Sequence, residues 1–185
     1  AEFEGRRTLW ELGLEAATGQ VVWNQNRARL HRGPGPGRVP LIWSHSIDRE
    51  RLAETPAGIG LARPGKPGFF DAEGAARTPL RGPAIVVNRV VGAVGRGELR
   101  AGLIPDGTAF LAENHVNVIR TRRSPSTGGS DNRRERRKSD PPGGGVDWER
   151  VLGSLRQPGI SERVRLLTGN TQISARELTH LLPLD

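Results

Sequence analysis

The chain carries 25 glycines and 14 prolines among its 185 residues, and this feature limits it to short regular elements joined by long loops. Proline lacks the N–H that helix interiors and strand ladders need, and glycine loses more backbone entropy on ordering than any other residue. Hydrophobic residues make up 35% of the sequence, which is enough for a core, so a wholly disordered chain is not expected. The length suits one domain, and we treat residues 1–185 as a single domain.

Several classes of protein are excluded by what the sequence lacks. It contains no cysteine, which excludes disulfides, thiolate zinc sites and cysteine nucleophiles. Its longest apolar runs, such as residues 84–87, are far too short to cross a bilayer, and no secretory signal opens the chain. We therefore expect a cytoplasmic protein with no membrane partner. The absence of methionine leads us to expect a piece of a longer protein.

The net charge of +8 is unevenly distributed along the chain. Eight basic and two acidic residues lie between Arg120 and Lys138, so we interpret residues 121–145 as a flexible basic loop. Such a loop is either a solvated surface segment or a contact for the phosphates of a nucleic acid.

Short β-branched and apolar runs in the middle of the chain predict strands. A buried strand is expected over 39–43, and an antiparallel meander over 84–88, 99–104, 109–112 and 115–121. After residue 145 the pattern changes to helix, with Asp147, Ser161 and Ser174 as N-caps of three short helices. The prediction is an α+β fold: a twisted, mostly antiparallel sheet with long Gly/Pro-rich loops and a C-terminal cluster of short helices.

Two segments imitate methyltransferase motifs but fail on inspection. Residues 92–97 resemble a nucleotide-binding glycine loop, yet the following residues predict a strand where that loop needs a helix. Residues 140–143 resemble the Asp-Pro-Pro-aromatic motif, but Gly143 has no ring to stack on an extruded base. The four histidines show no metal-ligand spacing. We predict that the chain alone has no catalytic residues, no metal and no cofactor of its own.

Three parts of the sequence carry a resemblance to a known family. They are residues 18–25 with 39–44, residues 82–89 with 111–117, and residues 167–174 followed by 177–184. In this order they resemble the C-terminal target-recognition region of N6-adenine DNA methyltransferases of restriction–modification systems. The last part is also similar to target-recognition domains of type I restriction specificity subunits. The resemblance implies sequence-specific recognition of double-stranded DNA. It also implies an S-adenosylmethionine-binding catalytic domain elsewhere, in the same or a partner chain.

The candidate DNA-binding residues have side chains suited to bases and phosphates. Asn and Gln amides match the N6 and N7 edge of adenine, and Arg matches O6 and N7 of guanine. The candidates are Thr18, Gln20, Asn24, Asn88, Arg89, Asn114, His115, Asn117, Arg122, Arg123, Asn170, Thr171 and Gln172. Residues 113–115 and 170–172 could instead only stabilise turns, and Asn88 and Arg89 at a strand end could also be structural. Trp23 and Trp43 are expected to be core aromatics.

Two other functions remain open at this point. A protein-interaction or assembly module could use the basic loop to bind an acidic partner. An RNA-binding module is a further alternative, although the chain has no tyrosine and lacks the aromatic pattern of RNA-binding sheets.

Overall fold

The computed structural model describes residues 6–47, 65–75, 77–89, 98–122, 145–169 and 172–184. The strands within these ranges are β1 (Leu14–Thr18), β2 (Leu30–His31), β3 (Arg38–Ile42), β4 (Phe69–Asp71), β5 (Leu80–Arg81), β6 (Ala84–Asn88), β7 (Ala101–Ile104), β8 (Ala109–Ala112) and β9 (Val116–Thr121). The α-helices are α1 (Trp148–Leu155), α2 (Ile160–Thr168) and α3 (Ala175–His180). Together they form the predicted α+β fold, with the helices at the C-terminal end of the chain.

The first sheet has the order β1-β9-β6-β7, and all its neighbours are antiparallel. Every residue of β6 is buried because both faces of this sheet are covered. Ile85 and Val87 pack in the cluster that includes Leu155 of α1. Ala84 and Val86, on the other face, pack with Phe110 of β8. The continuous apolar run of β6 therefore reflects a strand between two layers.

The second sheet has the order β2-β4-β3-β8-β5 and is mixed, because β3 and β8 run parallel while the other neighbours are antiparallel. The predicted meander is wrong at this point. β8 and β9 are separated by only three residues, yet β8 pairs with β3 and β5, whereas β9 pairs with β1 and β6. The chain changes sheet at Glu113, whose N–H still donates to Ile42 of the second sheet at 2.9 Å.

Local capping signals place two helices where they were predicted. Asp147 Oδ1 accepts from the N–H of Arg150 at 3.0 Å at the start of α1. Ser174 and Glu177 form a reciprocal capping box at the start of α3, with distances of 3.1 and 2.8 Å. The predicted cap of α2 is wrong: the N-cap is Gly159, with φ of 87°. Ser161 Oγ instead accepts from the N–H of Leu99 at 2.8 Å, which ties α2 to the residues before β7.

Some predictions fall on residues that are not described. The glycine turn at 92–97, the segment 140–143 and most of the basic loop, from 123 to 144, lie outside the described residues. Each helix in the described ranges falls short of the apolar length that spanning a lipid bilayer requires.

Candidate nucleic-acid interface

Polar residues gather at one end of the first sheet. Because neighbouring strands are antiparallel, β1 and β6 end where β9 and β7 begin. Thr18 lies opposite Asn117, and Asn88 lies opposite Val116. We call this region the polar end; it comprises Thr18, Asn88, Arg89, Asn114, His115, Asn117 and Gln172.

Hydrogen bonds join the three parts of the chain that carry the sequence resemblance at this end. The N–H of Ile173 donates to the carbonyl of Arg89 at 3.0 Å, and Asn117 Nδ2 donates to the carbonyl of Ile173 at 3.0 Å. The N–H of Asn114 donates to the carbonyl of Val21 at 3.0 Å. Segments separated by more than fifty residues are therefore held in one surface region.

Two of the candidate asparagines have internal roles in the structure. Asn88 is buried, its Oδ1 accepts from the N–H of Arg100 at 2.6 Å, and its Nδ2 donates to the carbonyl of Glu98 at 3.0 Å. Asn117 is fully buried, donates to Ile173, and accepts from Thr18 Oγ1 at 3.5 Å. Their amides extend the strand hydrogen bonding and hold the loop after α2. Their burial and these internal bonds favour a structural function, and direct contact of either residue with bases stays a prediction.

Asn114 and Arg89 differ from these two because each keeps an unused polar atom. Asn114 Oδ1 and Arg89 Nε have no hydrogen-bond partner among the described residues, although both atoms are buried. Arg89 Nη1 contacts the carbonyl of Asn114 at 3.5 Å. A buried polar atom without a partner costs about 1–3 kcal/mol, and because both atoms are covered, a ligand could recover this cost only after the two side chains move. Asn114 and Arg89 therefore lie next to each other, and the side chain of each has a polar atom that makes no hydrogen bond to the described residues.

His115 is oriented by a buried carboxylate. Its Nδ1 lies 2.8 Å from Glu113 Oε1, and its backbone N–H donates to Glu113 Oε2 at 3.0 Å. Glu113 is buried, whereas the His115 side chain is 52% exposed. As a carboxylate, Glu113 can only accept, so Nδ1 donates and Nε2 is left to face a ligand. This arrangement presents an imidazole edge and hides the negative charge beneath it.

The remaining candidates are spread over other parts of the surface. Asn24 is exposed in a short 3₁₀ turn, whereas Gln172, which belongs to the polar end, is also exposed. Arg122 follows the opposite end of β9, with its guanidinium 3.7 Å from the Trp10 ring centroid. Arg123, Asn170 and Thr171 lie outside the described residues.

Gln20 lines a large groove that the sequence did not reveal. We call it the basic groove; it is a cavity of about 990 Å³ between the β1–β9 side of the first sheet and the region around β5. Its walls include Gln20, Arg77, Arg81, Arg120, Glu15 and Trp148. Arg120 Nε is buried and has no hydrogen-bond partner in the described part of the chain. Three arginines outweigh Glu15, the one carboxylate that the described part of the lining contains, so the groove favours an anion. Residue 120 is far from residues 77 and 81 in the sequence, and the three come together only in the folded chain.

The two tryptophans predicted to be core aromatics differ in burial. Trp43 is 5% exposed, which confirms the prediction, but Trp23 is 37% exposed, so the prediction is wrong for Trp23. Its turn places the indole at the surface beside Arg27 and Lys66.

Comparisons with known proteins give no assignment: no family model matches the chain, and no curated protein matches it. Within the described ranges, no group of three or more His, Asp or Glu side chains is arranged to hold a metal ion.

Proposed function

We propose that this chain recognises a specific sequence in double-stranded DNA for an N6-adenine DNA methyltransferase of a restriction–modification system. The S-adenosylmethionine-binding catalytic domain would be supplied by another part of the same protein or by a partner chain. The observation that carries the proposal is the convergence of all three resembling segments at the polar end. We place the protein in the cytoplasm, where its DNA substrate would lie.

The polar end offers side chains for reading bases. Asn114 has a covered amide oxygen with no partner among the described residues, which would suit the donor on adenine N6 once the side chain turns outward, and Arg89 has a guanidinium that suits guanine. His115 adds an exposed imidazole nitrogen without exposing its carboxylate partner. These three residues are the base-contacting set that we propose.

The basic groove supplies affinity that does not depend on sequence. Its arginines would contact phosphates and release counterions, so that binding weakens as salt rises. The slope of log K against log salt is negative, and replacing both Arg77 and Arg81 with Gln should make it less steep by about 2 units. The matched control replaces Arg150 and Arg176 with Gln. It removes the same charge from exposed helix positions outside the groove and should leave the slope nearly unchanged.

Specificity is tested by selection from a pool of randomised duplexes. The native chain should enrich a short motif, and Asn114→Ala should relax the preference at one position by about 1–3 kcal/mol. A chain that binds duplexes with no enrichment, or with an affinity that ignores salt, would contradict the proposal.

A protein-interaction module is the second candidate, and exposed apolar side chains favour it. Leu166 and Leu167, which are consecutive residues of α2, are 78% and 39% exposed. Such side chains are typical of surfaces that another protein covers when they form a contiguous patch. Stable association with a protein in the absence of any duplex affinity would select this function over DNA recognition.

A further inference from the structure

A pocket beside the second sheet has the chemistry of a site for an aromatic anion. It has a volume of about 360 Å³, within the range of small-molecule sites, and its walls include Trp23, Trp43, Arg27, Arg32 and Lys66. Trp43 is held rigidly, because its Nε1–H donates to the carbonyl of Pro67 at 2.7 Å. Trp23 forms the outer wall and remains accessible. We call this the Trp23 pocket.

The cations of the Trp23 pocket rest on indole faces. The Arg27 guanidinium lies 5.0 Å from the Trp23 ring centroid. Lys66 Nζ lies 5.2 Å from the Trp23 centroid and 5.0 Å from that of Trp43. Among the described residues that line the pocket, none is a carboxylate. A cation–π contact at an exposed site is worth only about 0.5–1 kcal/mol, so these side chains can turn away from the rings at small cost.

We propose that the Trp23 pocket binds one unpaired nucleotide of a DNA strand. The base stacks on Trp23 and displaces a cationic side chain from the ring. The displaced side chain and Arg32 then hold the adjacent phosphate. A phosphate ion alone would not stack on the Trp23 indole. An uncharged aromatic ligand would leave the three positive charges of the pocket without an anionic partner. A nucleotide carries both a flat base, which can stack on the indole, and a phosphate, which can pair with the cations.

The test compares three duplexes that differ at one position: fully paired, with a single bulged adenine, and with an abasic site in place of that adenine. Fluorescence anisotropy gives their affinities. The bulged adenine should bind about 5- to 150-fold more tightly than the abasic bulge, which is the range of stacking on one aromatic side chain. Trp23→Leu should abolish this difference.

Trp10→Leu is the matched control for Trp23→Leu. Trp10 is also an exposed tryptophan, 44% accessible, with an arginine over its ring, but it lies outside the pocket. This variant should retain the full preference for the bulged adenine. Lys66→Gln, a second and independent variant, should weaken binding of both bulged duplexes through loss of a phosphate contact while affecting the paired duplex less.

Equal affinity for the adenine and abasic bulges would overturn the proposal, as would a preference that survives in a folded Trp23→Leu protein. Binding of free dAMP as tightly as the bulged strand would overturn the assignment to DNA. The pocket does not depend on duplex recognition. Failure to bind the paired duplex, with the adenine preference retained, would refute the proposed function and support this site.

Discussion

Replacing Asn117 with Ala tests whether the buried asparagines hold the polar end together or read DNA directly. Asn117 is fully buried, and its Nδ2 donates to the carbonyl of Ile173 at 3.0 Å. Removal of the amide leaves that carbonyl without its donor, at a cost of about 1–3 kcal/mol. The space left by the lost side-chain atoms adds about 1 kcal/mol. The expected loss of unfolding free energy is therefore about 2–4 kcal/mol.

Thermal unfolding followed by circular dichroism measures this loss. For a domain of this size, 1 kcal/mol lowers the Tm by about 2–4 °C, so Asn117→Ala should lower it by about 4–16 °C. Thr18→Val is the control, because the exposed Thr18 hydroxyl reaches Asn117 only at 3.5 Å, and its effect should stay within about 0.5 kcal/mol. A Tm unchanged by Asn117→Ala, together with a tenfold loss of duplex affinity, would refute the structural role and restore Asn117 as a base-contacting residue.

Three further changes test the fold around the site. Gly19→Ala should lower the Tm, because a Cβ at Gly19 would lie 2.7 Å from the carbonyl oxygen of Ala112 and force the adjoining backbone to shift. Ser174→Ala should cost about 1 kcal/mol in denaturant unfolding, because it removes the N-cap of α3. Hydrogen bonds from the Thr8 backbone N–H and, to a smaller extent, from the Thr8 hydroxyl hold the pKa of Glu11 below its usual value. The free energy of unfolding that these bonds add is therefore present at neutral pH and is lost as pH falls through the lowered pKa. An NMR titration of Glu11 should show this, and Thr8→Ala, which removes only the hydroxyl, should raise the pKa part of the way.

The parts of the fold that could be predicted are those determined by neighbouring residues. The sequence predicts β6 at its observed bounds, Ala84–Asn88, because a short β-branched run bounded by turn residues favours a strand. The caps at Asp147 and Ser174 also act within one turn of helix. The division of β8 and β9 between two sheets could not be predicted, because their partners lie far away along the chain.

The candidate site was predictable as a set of segments but not as a set of roles. An asparagine can read adenine or satisfy backbone groups equally well, and only the folded structure shows that Asn117 donates to the carbonyl of Ile173 while Asn114 Oδ1 has no partner among the described residues. The exposure of Trp23 likewise depends on where its turn meets Lys66, which is distant in sequence. The arginines at 77, 81 and 120 show no common pattern along the chain, and their grouping is a property of the folded surface.

β9 connects the polar end to the basic groove, the two regions to which we assign contacts with paired DNA, and its length predicts how much of a duplex they span. His115 precedes the strand, and Arg120 lies near its far end. With a rise of about 3.4 Å per residue, these two positions are about 17 Å apart, which corresponds to about 5 base pairs at about 3.4 Å each. Duplexes shorter than this should reach only one of the two regions. The slope of log K against log salt should therefore become steeper as the duplex lengthens from about 4 to about 10 base pairs. In the variant that carries both Arg77→Gln and Arg81→Gln, the slope should steepen less. A slope equal at all lengths would mean that the polar end and the basic groove do not engage one duplex together.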